Sequence, residues 1–309
     1  MKKDLLAITD LSTSEIYDLF ELAGDIKKRT AEDRSYAPLR NKTLAMVFQK
    51  PSARTRISFE TGMYQLGGHA IYLGPGDIGM GMRESTADIA RVLSRYNDGI
   101  MARLFNHSDI LELAEYSAVP VINGLTDLLH PCQILSDLFT ILERRGILED
   151  LHVTYVGDGN NIANSWLNAA SRLPFYLTIS VPEGYDPDYE IFTAAVNSPG
   201  GSDRVKIERD PQKAVRNADV IYTDVWASMG QEDELPGRRK VFYNYQLNSS
   251  LLKYAGKNPC IMHCLPAHRG EEITGEVIDG ESSIVFDQAE NRLHLQKAIL
   301  IKWLGDGFG

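Results

Sequence analysis

The chain has 309 residues, of which 43% are hydrophobic and 24% charged, an ordinary globular composition that excludes disordered and collagen-like classes. At roughly 100–200 residues per domain, that length predicts two domains. With 32 Lys+Arg against 42 Asp+Glu the formal charge is −10, so neither nucleic acid nor an anionic membrane is expected as a partner.

Three cysteines (Cys132, Cys260 and Cys264) are too few for a disulfide framework. No apolar run approaches the ~18 residues of a membrane span, so a soluble cytoplasmic protein is expected. The basic residues are not evenly spread. Arg54, Arg56, Arg83, Arg91, Arg95 and Arg103 fall in the first third, which suits a local anionic ligand or ordinary helix-surface pairing.

Along the chain, apolar runs alternate with helical spacing. Thr43–Phe48 predicts a buried strand, Arg56–Leu66 a helix, His69–Leu73 a strand and Ser85–Arg95 an amphipathic helix. Gly99–Ala102, Ile110–Tyr116, Val119–Ile122 and Gln133–Arg145 repeat the rhythm, and Gly146–Leu151 marks a boundary. The rhythm then restarts. Strands are expected at His152–Val156, Tyr176–Val181, Val205–Glu208, Val220–Thr223 and Ile261–Cys264. Helices are expected at Ile162–Arg172, Tyr189–Val196, Pro211–Asn217, Leu247–Tyr254 and about Gln288–Leu304. Met229–Lys240 is polar, with little periodicity, and reads as a mobile loop. This pattern predicts an α/β fold of two doubly wound domains, each a parallel sheet flanked by helices. The domains are expected at 1–146 and 150–287, with the last helix free to fold back across either.

Five places carry chemistry, and four follow a predicted strand, the edge where open α/β sheets bind ligands. After Thr43–Phe48, Pro51 and Ser52 open a helix bearing Arg54, Thr55 and Arg56. Free N–H groups, hydroxyls and guanidinium forks in one turn make an anion site, and phosphate suits it. His130-Pro131-Cys132-Gln133 opens another helix and offers an imidazole donor and an amide, a combination able to read a carbonyl-plus-amide group. Gly157-Asp158-Gly159-Asn160-Asn161 resembles a dinucleotide turn, but Ile162 and Ala163 stand where the third glycine belongs, so dinucleotide binding is disfavoured. Asn161 is left to contact a polar substrate. Asp224, at another strand end, suits an ammonium group. Around Met262–Gly270, Cys260, His263, Cys264 and His268 lack zinc spacing, and no metal is expected.

Four motifs together carry a family resemblance: Ser52-x-Arg54-Thr55-Arg56, His130-Pro131-x-Gln133, Asp224-x-x-x-Ser228-Met229-Gly230 and His263-Cys264-Leu265-Pro266. In order and approximate spacing they resemble the aspartate/ornithine transcarbamylases, and the last two resemble the ornithine branch. The resemblance runs essentially from end to end, as far as Gln288-Ala289-Glu290-Asn291-Arg292. It implies transfer of the carbamoyl group of carbamoyl phosphate to the δ-amine of L-ornithine, without cofactor or metal. It also implies a homotrimer and a last helix, about 288–309, that crosses back to a first, carbamoyl phosphate-binding domain.

Carried over by position, the resemblance assigns Ser52, Ala53, Arg54, Thr55, Arg103, His130, Pro131, Cys132, Gln133 and Arg292 to carbamoyl phosphate, with Cys264 and Leu265. Asn161, Asp224, Ser228 and Met229 are assigned to ornithine, and Arg103, His130 and Cys264 to catalysis, Cys264 as a positioning thiol rather than a nucleophile. Two positions depart from the family: Ala53, where relatives often have Thr, and Gly79, where they typically carry a Gln that reaches a neighbouring subunit's substrate. The rival readings are transfer to another amine such as putrescine or an acylated ornithine, and a binding protein without turnover.

Overall fold

In a computed structural model of the chain, residues 2–32, 36–80, 83–227, 232–256 and 258–305 are described. The chain forms two compact units, Met1–Phe139 with Glu290–Gly309 and Thr140–Ala289. The division falls inside helix Pro131–Arg145 and again inside helix Val285–Leu304.

The first unit is built on four parallel strands: β1 (Thr43–Phe48), β2 (His69–Leu73), β3 (Gly99–Arg103) and β4 (Val121–Leu125). Their order is β2-β1-β3-β4. From Leu44 to Phe48 every residue of β1 is buried, as a continuous apolar run at the sheet centre requires, whereas edge strand β2 is half-exposed. Ala45, Val47, Ile100 and Ala102 pack with Ile89, Ala90, Ile110 and Leu113 from the covering helices.

The second unit holds five parallel strands: β5 (His152–Val156), β6 (Tyr176–Ser180), β7 (Val205–Ile207), β8 (Val220–Thr223) and β9 (Cys260–His263). Their order is β7-β6-β5-β8-β9. Both sheets are therefore doubly wound, as the alternating pattern predicts. Each has one place where the winding reverses, between β1 and β3 in the first unit and between β5 and β8 in the second. Crevices outside the carboxyl ends of strands at such a reversal are where open α/β sheets hold ligands.

Several elements differ from expectation: the helix expected at Leu247–Tyr254 is an α-helix only over Ser249–Leu252, and the short helices Pro75–Ile78, Gly201–Arg204 and Gly275–Ile278 were not expected. Helix Thr13–Glu32 has no counterpart in the predicted pattern, although Ile16, Leu19, Phe20, Ala23 and Ile26 form a buried stripe at helical spacing. The expected mobile loop at Met229–Lys240 is a loop only in part. Its first residues, to Gln231, lie outside the described residues, but Glu232–Glu234 is a 3₁₀ turn and Leu235–Phe242 a helix. That helix is anchored by buried Arg238 and, at its end, by Phe242, so the apolar periodicity that betrays most helices is missing.

Candidate active site

In the first unit the site grows from the β1/β3 reversal. Phe48 and Arg103 are register partners at the strand ends, and the Gln49 N–H donates to the Arg103 carbonyl at 2.9 Å. This bond ties the loop after β1 to the end of β3. Pro51 and Ser52 follow. Ser52 is extended and caps helix Ala53–Gln65, its Oγ accepting from the Thr55 N–H at 3.3 Å. The helix starts earlier than its apolar residues indicate because the cap, not burial, sets its first turn. Ala53 and Arg54 are then the first two helical residues, whose N–H groups face outwards from the N-terminus where the dipole favours an anion.

Thr55 is fully buried, and its hydroxyl accepts twice, from Ser52 Oγ at 3.1 Å and from Arg292 Nη2 at 3.2 Å. Its own hydrogen therefore remains to donate. Arg103, His130 and Arg292 are only 5–6% exposed, so two guanidinium groups and an imidazole are withdrawn from bulk water together. Burial, reinforced by the charges of Arg292 and Arg103, holds the His130 pKa well below the usual histidine value. Neutral His130 offers one N–H among fixed positive charges.

Gln133 sits in the first turn of helix Pro131–Arg145, and its buried Oε1 has no hydrogen-bond partner among the described residues. These side chains thus present positive donors and an amide acceptor. Arg54 is half-buried at the helix start. Arg56 is directed elsewhere: its Nε bonds Glu60 at 2.9 Å and its guanidinium lies 4.0 Å from the Tyr72 ring centroid. Cys132 turns its thiol to the Asn123 carbonyl at 3.3 Å, and burial pushes that thiol up to about 12. It and Pro131 can contribute only through backbone and position.

In the second unit the site grows from the β5/β8 reversal and from the end of β9. Thr223 pairs with Val156 on one side and His263 on the other, so Asp224 and Cys264 follow neighbouring strands in step. Cys264 Sγ donates to Asp224 Oδ1 at 2.9 Å, and Asn160 Nδ2 donates to Asp224 Oδ2 at 2.8 Å. Asn160 cannot turn its amide over, because its Oδ1 caps helix Asn161–Ala170 by accepting from Ile162 and Ala163. Asn161 stands half-buried at that helix's first position, beside the residue that bonds Asp224. Ser228 and Met229 lie outside the described residues.

Leu265, next to Cys264, adopts φ +57°, a left-handed conformation that costs a residue with a Cβ about 1–2 kcal/mol. Its N–H donates to His263 Nδ1 at 2.9 Å, and His263 Nε2 meets Glu272 Oε1 at 3.0 Å. His263 is therefore the Nε2–H tautomer, with both ring nitrogens committed. Asp224, His263 and Cys264 lie close enough together to suggest a cation, but the imidazole has no lone pair left for one. A second group, His268, Glu271 and Glu272, has Arg239 on Glu271 and His263 on Glu272, which disfavours a cation there as well.

Sequence reasoning missed Asn160, Asp158, Arg238 and Glu272. Arg238 Nη1 reaches Asp158 Oδ2 at 3.0 Å and the Trp226 carbonyl at 2.8 Å, linking the turn after β5 to the segment after Asp224. The glycine turn itself was the signal for Asp158, but no local pattern marks its partner.

These features define a class: a two-unit α/β protein with an anion-and-amide pocket at one sheet reversal and a carboxylate-and-thiol pocket at the other. The family described as "Aspartate/ornithine carbamoyltransferase, carbamoyl-P binding domain" matches residues 3–143, and "Aspartate/ornithine carbamoyltransferase, Asp/Orn binding domain" matches residues 149–303. The chain belongs to the aspartate/ornithine carbamoyltransferase family. It is 59% identical to the ornithine carbamoyltransferase of Syntrophus aciditrophicus, over 97% of this chain and 99% of that one. It is 50% identical to the anabolic ornithine carbamoyltransferase of Pyrococcus furiosus, over 98% of this chain and 96% of that one. The solved structure of ornithine carbamoyltransferase from Pyrococcus furiosus superposes with a TM-score of 0.95, covering 99% of this chain and 98% of that one. No described helix is long and apolar enough to cross a membrane.

Proposed function

We propose that this chain is a transferase that moves the carbamoyl group of carbamoyl phosphate to the δ-amine of L-ornithine, giving L-citrulline and phosphate. The observation that carries this reading is the buried convergence of Thr55, Arg103, neutral His130 and Arg292 with the amide acceptor of Gln133. Carbamoyl phosphate has the matching parts: phosphate oxygens, a carbonyl and an NH₂.

In this reading residues 1–146, with about 288–309, hold carbamoyl phosphate, and residues 150–287 hold the amino acid. The N–H groups of Ala53 and Arg54, the Ser52 turn and the Arg54 guanidinium take the phosphate. Arg103, the Thr55 hydroxyl and the His130 N–H stabilise the negative charge that develops on the carbamoyl oxygen. Gln133 Oε1 accepts from the NH₂. Asp224, with Asn161, Ser228 and Met229, takes the α-ammonium and carboxylate of ornithine, and Cys264 with Leu265 shapes the wall beside the attacking amine.

The amine attacks as the neutral base. A C–N bond forms, the C–O bond to phosphate breaks, and the proton lost by the attacking nitrogen leaves on the departing phosphate. The amine's unperturbed pKa of about 10 makes deprotonation the entry step, and nearby guanidinium charge favours it. No acyl-enzyme is needed, because the carbamoyl group is already activated. A homotrimer in the cytoplasm, serving arginine biosynthesis, completes the reading. It is supported by the family and by the word anabolic in the Pyrococcus furiosus relative's name.

The test is citrulline-type product formation from carbamoyl phosphate with ornithine, putrescine, N-acetylornithine and aspartate side by side. Turnover with ornithine alone is expected. Turnover with another amine keeps the chemistry and overturns the Asp224 assignment. No turnover with any of them, in protein that binds carbamoyl phosphate, makes it a binding protein.

A further inference from the structure

Gln133 and Asp137 are one helical turn apart on helix Pro131–Arg145, and Gln133 Nε2 donates to Asp137 Oδ1 at 2.8 Å. Both side chains are buried, Gln133 1% and Asp137 0% exposed. With the amide nitrogen donating to a carboxylate oxygen, this contact selects one of the two orientations of the amide. The flipped amide would set oxygen against oxygen in a region that water does not reach. With Nε2 held by Asp137, Oε1 is left without a partner in a buried position. A buried acceptor in this state is costly; a ligand that supplies an N–H removes that cost on binding, and one that cannot leaves it in place.

We infer that Asp137 is a positioning residue for acyl-group specificity: it fixes Gln133 as an acceptor, so the pocket prefers an acyl phosphate bearing NH₂ over its methyl isostere. The inference rests on the carbamoyl phosphate reading above. It deepens that reading by naming a residue that touches no substrate atom yet determines which acyl group is accepted.

The experiment measures KM and kcat with carbamoyl phosphate, and competitive Ki values for acetyl phosphate and inorganic phosphate, in the full chain. The variants are Asp137→Leu, Asp137→Asn and Gln133→Leu, plus the double variant Asp137→Leu/Gln133→Leu. Asp137→Leu is expected to raise KM for carbamoyl phosphate about tenfold, leaving both Ki values within about twofold. Asp137→Asn can turn its own oxygen towards Gln133 Nε2, so it is expected to retain the preference for carbamoyl over acetyl phosphate. In the Gln133→Leu background, Asp137→Leu is expected to change that preference no further.

Equal losses for all three ligands would mean a structural role and overturn the inference, as would an unchanged KM or additive effects with Gln133→Leu. If Asp137→Leu does not fold, Asp137→Ser, which is too short to reach Gln133, is read in the same way. An active parent enzyme with an insensitive Asp137→Leu variant sinks this inference alone. A parent that turns over no amine sinks the function and the inference together.

Discussion

Cys264 and Asp224 share a hydrogen bond of 2.9 Å in which the thiol donates to Oδ1 of the carboxylate. Asn160 holds the other oxygen at 2.8 Å. The carboxylate is thus fixed in rotation, while each oxygen keeps a lone pair for a cationic ligand. This gives the thiol a role that requires neither thiolate nor covalent chemistry.

Exchanging the donor therefore matters less than removing it. Cys264→Ser keeps an O–H to donate and is expected to turn over at saturating substrate, with KM for ornithine raised only a few-fold. Cys264→Ala leaves Oδ1 without its donor and is expected to raise that KM about tenfold or more. Steady-state kinetics on both variants decide it. A Cys264→Ser enzyme that is dead at saturation refutes the positioning role.

His130 lies buried beside Arg103 and Arg292, and all three effects oppose its protonation. It is expected to remain neutral through pH 6–8, showing no NMR titration there and contributing no inflection to kcat/KM for carbamoyl phosphate. Because its folded pKa lies below the unfolded value of about 6.5, stability is lost as pH falls through 6.5 and the unfolded chain takes up a proton that the folded chain refuses. His130→Gln should flatten that part of the stability–pH curve. A His130 resonance titrating near pH 7 would contradict the assignment.

Much of this arrangement was legible in the residues themselves. The strand bounds at Thr43–Phe48, His152–Val156 and Val220–Thr223 coincide with the apolar runs, since a strand buried on both faces leaves a continuous signature, and edge strand His69–Leu73 was legible from its short run alone. The Ser52 cap and the His130–Gln133 helix start were readable because capping chemistry is local. The Thr55–Arg292 bond was not, since its partners lie at opposite ends of the chain and meet only through the last helix. The Asn160–Asp224 bond depends on β5 lying beside β8, which residue order along the chain does not reveal. Helix Leu235–Phe242 escaped for a third reason, because it buries only one arginine and one aromatic, Arg238 and Phe242, too few to make an apolar stripe.

Gly79 ends the short helix Pro75–Ile78 at φ +56°, with its carbonyl accepting from the Arg83 N–H at 2.8 Å. A Cβ there would lie 2.9 Å from Arg83 Cδ, which a flexible side chain can relieve, but the left-handed backbone cannot be relieved. Replacing Gly79 by glutamine is therefore expected to cost about 1–2 kcal/mol of stability. Chemical denaturation of Gly79→Gln and Gly79→Ala checks this. The two should lose similar amounts, because the backbone and not the amide carries the penalty. A Gly79→Gln protein as stable as its parent would mean that the turn relaxes.

Asp158 and Arg238 form a buried pair at 3.0 Å, and desolvation outweighs the guanidinium, raising Asp158 from 3.8 to about 6. For a carboxyl group raised in the folded state, the sign is opposite to that of an ordinary surface acid. Between pH 3.8 and about 6 the folded chain binds more protons at this site than the unfolded chain, so the site's contribution falls as pH rises. The loss is complete above about pH 6 and amounts to roughly 3 kcal/mol. Asp158→Asn removes the titration and leaves the Arg238 environment otherwise similar. The stability of Asp158→Asn relative to the parent should therefore improve from pH 4 to pH 6.5 and then level off, as read by urea unfolding across that range. Arg238→Met should do the reverse at neutral pH, since it strips the guanidinium that favours ionised Asp158 and strands a carboxylate in a buried turn. A flat difference for Asp158→Asn across the window would mean that the pair is solvated in solution.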